Sequence, residues 1–321
     1  MRVAQLSIAI VGLSLCTLAA ADPLPIRNLN PLLSGYELPP ALSAKSHDGT
    51  SLSAQFAIAN SSLDQRSAHE AVQLDGEVQR WQLNFATSLS DSLGLRVELP
   101  YLQISGGHLD HFIESFHRTF GMPNGNRSEW PTNRLLIQHQ RDGVTDFNLT
   151  ESQRGIGDLT LRMSQRLGHA SADEKFNNTL WLSLKLPTGN ANKLTGSGSI
   201  DAALSFAASQ QLSDSFTTTQ QVSLSLLGKG DRLRDQQKTT VWSGSVGIDA
   251  KVTQHWSAVL QLDGSTKALA SEVRALGPAL QLTVGPRYES GAWRSELVIS
   301  EDIAVDTAPD VQFQLDIARK W

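Results

Sequence analysis

Residues 311–321 read VQFQLDIARKW, and apolar and polar side chains alternate along them. Successive side chains of a strand point to opposite faces, so the alternation separates them into two sets. The apolar set is Phe313, Leu315, Ile317 and Trp321. The polar set is Gln312, Gln314, Asp316 and Lys320. The pattern predicts an amphipathic β-strand that ends on an aromatic residue. Arg319 departs from it, and near an interface its long side chain can extend into the polar phase.

The N-terminus favours export. Arg2 precedes an uncharged apolar run over 8–20, and Ala19-Ala20-Ala21 supplies the small residues of a signal-peptidase site. We therefore expect residues 1–21 to be a cleaved signal peptide, since the run is too short for a convincing membrane anchor. Lipidation at Cys16 is the alternative, but Leu15 stands where a lipobox has a small residue. Cleavage after residue 21 would remove the single cysteine, and with it any disulfide or thiol chemistry.

An exported chain with such a C-terminal strand predicts a bacterial outer-membrane β-barrel. A terminal amphipathic strand ending on an aromatic is typical of the strand that these barrels present to their assembly machinery. We therefore expect that machinery and the outer-membrane lipids as partners. The alternative is the last edge strand of a soluble β-sandwich.

Composition excludes other classes. The net charge of -5 and the pI near 5.9 provide no basic field for nucleic acid. The mean hydropathy of -0.21 argues against transmembrane helices. It is compatible with a barrel, whose strands alternate lipid-facing apolar and lumen-facing polar residues.

A period of two dominates the chain and predicts about twelve transmembrane antiparallel strands. They begin near residues 52, 78, 93, 157, 179, 200, 216, 239, 256, 279, 293 and 311. Tight turns alternate with long links, the asymmetry of periplasmic turns and external loops, although 168–178 is long for a turn. The predicted division is a signal peptide (1–21), a periplasmic N-terminal segment (22–50) and an all-β barrel (51–321).

The predicted inward faces carry cations and anions in nearly equal number. They include Arg96, Glu98, Asp158, Arg162 and Lys185. A strongly selective pore usually shows one dominant sign along its wall. Balanced charges in a barrel of this size favour ion-pair networks that stiffen and partly fill the lumen. The sequence therefore predicts a narrow or gated pore.

The long link 103–155 breaks the β pattern, and a link of this length is usually functional. Within it, an apolar stripe at helical spacing predicts a short helix, bracketed by Gly107 and Gly121. The stripe is Leu109, Phe112, Ile113, Phe116 and Phe120. The candidate ligand or gate residues in this link are His108, Asp110, His111, Glu114, His117 and Arg127.

Three interpretations of this helix stay open. It plugs or caps the barrel mouth as a lid, it gates a small ligand through its carboxylates and imidazoles, or it forms a metal or acid–base site. The Glu114-x-x-His117 motif occurs once, whereas carboxylate-bridged metal bundles need it twice with further carboxylates. We therefore predict no metal, no cofactor and no catalytic residue.

Three functional classes follow from this architecture. The first is a narrow or gated channel or uptake protein for a small-molecule ligand. The second is a lipid- or envelope-modifying hydrolase with His117 or His111 as base, although G-x-S-x-G, H-E-x-x-H and Walker motifs are missing from the sequence. The third is a structural or interaction barrel that displays the helix to a partner.

Four strings carry a family resemblance: NLNPLLSGYELP (28–39), LDHFIESFHRTFGMPNGNR (109–127), GIGDLTLR (155–162) and KLPTGN (185–190). They resemble a proteobacterial family known as domain of unknown function 3187, over nearly the whole chain after residue 21. The Gly-Asp and Pro-Thr-Gly pieces are also similar to those of outer-membrane transporter barrels linked to aromatic degradation. The resemblance implies an outer-membrane location and leaves the activity open.

Overall fold

The computed structural model describes residues 22–45, 49–120, 130–168, 175–303 and 307–321, without the side chains of Phe116, His117 and Phe120. The predicted signal peptide and Arg127 lie outside these residues. The described chain is all-β apart from one helix and two single 3₁₀ turns. Its elements are β1 (Thr50–Arg66), β2 (Glu70–Ser88), β3 (Leu93–Ser105), α1 (Asp110–Phe120), β4 (Leu136–Arg141), β5 (Val144–Leu149), β6 (Gln153–Ile156), β7 (Leu159–Leu167), β8 (Phe176–Leu186), β9 (Asp201–Gln211), β10 (Phe216–Leu227), β11 (Thr240–Lys251), β12 (Trp256–Ser265), β13 (Ala279–Ser290), β14 (Trp293–Asp302) and β15 (Val311–Lys320).

Twelve of these strands close into a barrel, which confirms the predicted fold and strand number. The antiparallel order is β1-β2-β3, then β7 through β15, and β15 pairs back with β1 from Ser51↔Lys320 to Asn60↔Val311. Strands β4, β5 and β6 belong to the long link and add to one rim. Closure pairs the first and last strands, so the spanning wall has no unpaired edge in lipid.

The outward face of the wall is apolar. Its exposed side chains include Leu83, Leu182, Leu204, Val246, Val284 and Leu297. Alternating with them, the inward face is polar and buried, and it includes Ser183, Ser205, Ser223, Gln261 and Thr283. An apolar belt outside a polar lumen is the arrangement of a membrane-spanning barrel. No helix among the described residues has the length and apolar character needed to cross a bilayer.

Strands β1 and β2 extend further than the sequence pattern predicts. The predicted link 60–76 is mostly strand, and only residues 67–69 separate β1 from β2. In this upper part the apolar side chains point inward, as Leu63, Val72 and Leu74 do, and they are almost fully buried. In this upper part the apolar residues occupy the inward face, whereas lower in the same strands they occupy the outward face. A strand prediction that requires outward apolar residues therefore ends before the strands do.

Residues 22–45 do not form the expected periplasmic segment, because the structure places them inside the barrel. We call them the plug segment. Its first residues contact Arg287 and Arg294 near the short-turn end of the barrel. The segment then runs to the long-loop end, where it turns at residues 31–36. Its last residues return to the short-turn end and contact β8. The segment has no helix or strand of its own. It therefore showed no periodicity from which its position could be predicted.

An apolar cluster closes the long-loop end of the lumen. The turn of the plug segment contributes Leu29, Leu32, Leu33 and Tyr36. Around it pack the inward residues of upper β1 and β2, the β4–β5 hairpin and the loop before β13, including Leu74, Ile137, Phe147, Leu269 and Leu276. Burial of these side chains removes apolar surface from water and anchors the turn.

The apolar belt gives a test of the fold. Leu297→Arg places a cation in the middle of β14, where the side chain is 57% exposed, and should cost about 2–4 kcal/mol if this face meets hydrocarbon. Thr240→Arg, on the same face but at the long-loop end of β11, should cost about 0–1 kcal/mol. Urea unfolding in lipid vesicles measures both. Equal losses would contradict a lipid-facing belt.

Candidate functional site

The lumen is the candidate functional site, and two wall glutamines hold the plug segment there by its backbone. Gln261 on β12 accepts a hydrogen bond from the Leu24 amide at 2.8 Å and donates one to the Leu24 carbonyl at 2.8 Å. Gln221 on β10 accepts from the Leu42 amide at 2.7 Å and donates to the Pro40 carbonyl at 2.9 Å. Each carboxamide satisfies one backbone donor and one acceptor, as a neighbouring strand would.

Both ends of the plug segment are tied to the wall near the short-turn end. Arg294 lies 2.6 Å from the Asp22 carboxylate, and Trp181 donates its indole N–H to the Ser43 carbonyl at 2.8 Å. Burial alone would raise the pKa of Asp22. The charges of Arg294, Lys45 and Arg287 and a hydrogen bond from Ser43 outweigh it and hold this pKa well below its usual range. Asp22 therefore stays ionised, and attracted to Arg294, through mildly acidic conditions.

The first ion-pair cluster joins the wall to the plug segment around Arg162. This fully buried guanidinium lies 2.7 Å from Glu37 of the plug segment and 2.8 Å from Glu98 of β3. Arg27, also from the plug segment, lies 3.1 Å from Glu98, and Arg96 lies 3.2 Å from it. Removal of one partner would leave an uncompensated charge in a dry site, which is far more costly than the pair is stabilising.

The second cluster surrounds Lys185 on β8. Its ammonium lies 2.7 Å from Asp158 and 3.2 Å from Asp201. Asp158 also accepts hydrogen bonds from the Gly189 and Ser197 amides, which fixes the loop after β8. Asp201 accepts from the Glu37 amide at 3.0 Å, so this cluster also reaches the plug segment.

A third ion-pair cluster lies on β11, β13 and β14, across the lumen from the clusters around Arg162 and Lys185. Arg287 on β13 is 2.7 Å from Asp249 and 2.6 Å from Glu296, and it donates to the Asp22 carbonyl at 2.5 Å. The alternation along β11, β13 and β14 places all three side chains on the inward face. Alternation in the sequence predicts that these side chains face inward. Which of them pair depends on the register of the strands from β11 to β14, and alternation does not predict register.

A cavity of about 50 Å³ lies between the two limbs of the plug segment and the wall. Its wall side is built from small residues, in the runs Ser243-Gly244-Ser245 and Asp263-Gly264-Ser265. Its plug side includes Ile26, Leu38 and Ala41. Small wall residues leave a gap that long side chains would fill, and the gap has room for about one or two water molecules.

The predicted gate residues lie elsewhere. The structure places Asp110 over Asn60, whose side chain is on the outward face of β1, and the His108 amide donates to Glu77 on the outward face of β2. His111 is exposed, and Glu114 is partly exposed. The helix therefore lies against the outside of the wall and does not plug or cap the mouth. The His117 side chain and Arg127 lie outside the described residues.

The long link closes the mouth through β4 and β5 instead. His139 of β4 is fully buried and lies 2.8 Å from Glu70 and 2.9 Å from Asp146. Glu70 also accepts hydrogen bonds from the Ser271 hydroxyl and the Glu272 amide, which ties the hairpin to the loop before β13. Sequence reasoning missed this network, because its members are far apart in the chain and in no motif.

The described side chains show no group of three or more His, Cys, Asp or Glu residues arranged to hold a metal ion. What the wall encloses is instead a polar, charge-paired lumen filled by a segment of the same chain. Together with the apolar outer belt, this defines a closed β-barrel of the outer-membrane type. The chain belongs to the family described as Protein of unknown function (DUF3187), whose sequence model matches residues 8–321.

Several solved structures are similar to this chain, and the first of them has the same fold. The COG4313 outer membrane channel from Pseudomonas putida F1 matches with a TM-score of 0.57 and 13% identity, over 89% of this chain and 100% of that one. The KdgM porin matches with a TM-score of 0.45 and 10% identity, over 84% and 99%. The P. putida toluene transporter TodX matches with a TM-score of 0.42 and 10% identity, over 86% and 91%. No curated protein matches the sequence.

The Arg162 cluster can be tested through stability. Glu98→Gln removes the carboxylate that Arg27, Arg96 and Arg162 share, and it should lower the free energy of unfolding by about 3–5 kcal/mol. Glu289→Gln, at an exposed position of β13, is the matched control and should change it little. Urea unfolding in vesicles compares them. A loss below about 1 kcal/mol for Glu98→Gln would show that water reaches the cluster.

Proposed function

We propose that this protein is an outer-membrane channel for a small molecule, closed at rest by the plug segment. The observation that carries the proposal is the passage of residues 22–45 through the lumen, where Gln221 and Gln261 of the wall hold their backbone. The cavity of about 50 Å³ beside the plug segment has room for water but not for a larger solute. Transport therefore requires the plug segment to move, and the long-link helix has no part in gating.

The backbone contacts of the plug segment with the wall can exchange with water, whereas its ion pairs through Arg27 and Glu37 hold it more firmly. It adds no strand to the sheet, and wall side chains hold its backbone at Leu24, Pro40 and Leu42. Water can replace such hydrogen bonds at a net cost of about 0.5–1.5 kcal/mol each. Movement of the segment leaves the strand pairing of the barrel intact.

The lining favours uncharged polar solutes. Many of the inward charges compensate one another in clusters around Arg162, Lys185 and Arg287. The rest of the inward face presents many hydroxyl and carboxamide groups, including Ser205, Thr219, Gln221, Ser223, Ser245 and Gln281. A wall without a dominant sign gives little selection by charge. Hydroxyl and amide groups offer hydrogen bonds to neutral polar molecules.

The plug contacts give a test of the channel. Gln221→Ala with Gln261→Ala removes four hydrogen bonds to the plug backbone and should raise mean conductance in planar bilayers at least about tenfold. Gln312→Ala is the matched control. Its side chain also faces inward and is buried, but it makes no hydrogen bond among the described residues. The control should keep the low conductance of the unchanged chain.

Liposome swelling tests the solute class with the same variants. The double variant should admit small neutral sugars as fast as, or faster than, charged solutes of equal size. Conductance and swelling that stay at background in a folded double variant would contradict the channel. Rapid swelling with charged solutes alone would overturn the proposed solute class and leave the channel standing.

A further inference from the structure

Helix α1 and its flanks form a second surface, distinct from the lumen. Asp110, the first residue of α1, accepts hydrogen bonds from Asn60 at 3.1 Å and from the Asn133 amide at 2.7 Å. Glu77 accepts from the His108 amide at 3.1 Å. Asn60 and Glu77 pair across β1 and β2. They are on the same face of these strands as the exposed Leu52 and Phe85, which is the outward face. The start of the helix is therefore fastened to the outside of the barrel.

An aromatic contact joins the helix to the apolar belt. Phe112 lies edge-on to Phe313 of β15, with ring centroids 5.7 Å apart, and 51% of its side chain remains exposed. Phe313 shares its face with the exposed Leu315 and Ile317. Its cross-strand neighbour on β14 is Ile299, and the neighbour of Ile299 on β13 is Val284. Phe112 thus continues a lipid-facing row beyond the wall.

The sides of the helix have different surroundings. Ile113 is fully buried. The polar residues His111, Ser115 and Arg118 are exposed on the side away from it. Phe112 projects between these two directions. The helix therefore packs one face on the wall, directs Phe112 toward the apolar belt and exposes a polar face on the side away from the wall. Helices that lie in a membrane interface have apolar and polar faces divided in this way.

Beside the helix, residues 130–134 carry a second feature typical of an interface. The Arg134 guanidinium lies 4.7 Å from the centre of the Trp130 ring and pairs with Asp75, another outward residue of β2, at 2.5 Å. Tryptophan and arginine are common at the level of lipid headgroups, where each has an apolar body and a polar end.

We propose that α1 is an interfacial helix, with Phe112 inserted among the acyl chains of the outer leaflet and its polar face in water. The long loops of such barrels are external, so the helix lies at the outer leaflet. Continuity of Phe112 with the row of Phe313 identifies lipid as the occupant. The inference does not depend on transport.

Spin labels on the full chain in lipid vesicles test the proposal. Cys16 is the single cysteine, so Cys16→Ser makes each introduced cysteine unique. Phe112→Cys should give a label severalfold more accessible to oxygen, which is concentrated in lipid, than to a water-soluble nickel chelate. Ser115→Cys, an exposed position on the polar side of the same helix, is the matched control and should show the reverse preference.

A heat-dependent shift in gel mobility first establishes that each labelled chain is folded. If Phe112→Cys does not fold, Thr119→Cys replaces it, because residue 119 is two turns further along the same side and exposed. Equal preference for the nickel chelate at 112 and 115 would overturn the proposal. Spin–spin broadening at 112 would also overturn it, since a second copy of this chain would then cover the ring. Background conductance in the channel experiment would not affect either result.

Discussion

The structure depends on one constraint, which is that a twelve-stranded wall faces a lumen its own side chains do not fill. The inward polar groups are cut off from bulk water and need partners. The plug segment provides partners for several of them, among them Gln221 and Gln261, and these side chains in turn satisfy its backbone. Arg162 illustrates the exchange, because this buried guanidinium is paired both with Glu98 of the wall and with Glu37 of the plug segment. Wall and plug segment are therefore parts of one network of polar contacts.

Three of the strings that carry the family resemblance meet in this network. Asp158 and Arg162 come from the string at 155–162, Lys185 from that at 185–190, and Glu37 from that at 28–39. The contacts among them bring together stretches that are far apart in the chain. The fourth string, at 109–127, contains α1 (Asp110–Phe120), which lies on the outer side of the wall.

The sequence allowed the barrel to be predicted, but only part of its interior. Alternation identified the strands and the inward direction of Glu98, Arg162 and Lys185, since side-chain direction is a local property. It could not place the plug segment, which is irregular, and it failed in upper β1 and β2, where Leu63 and Leu74 turn the apolar side inward. The position of α1 could not be predicted, because an apolar stripe shows that a helix packs, not which side of the wall receives it.

The plug segment turns back among the long loops, so both of its limbs point to the same end of the barrel. A segment that ran straight from one mouth of the barrel to the other could leave the lumen only if one of its ends passed through the narrowest part. In the proposed channel, a doubled-back segment needs no such step, because it would leave the lumen as a loop. Its tip, around Leu32 and Leu33, would then be the last part to clear the lumen and the first to re-enter it. The doubled-back course of the plug segment would therefore make the opening of the proposed channel reversible.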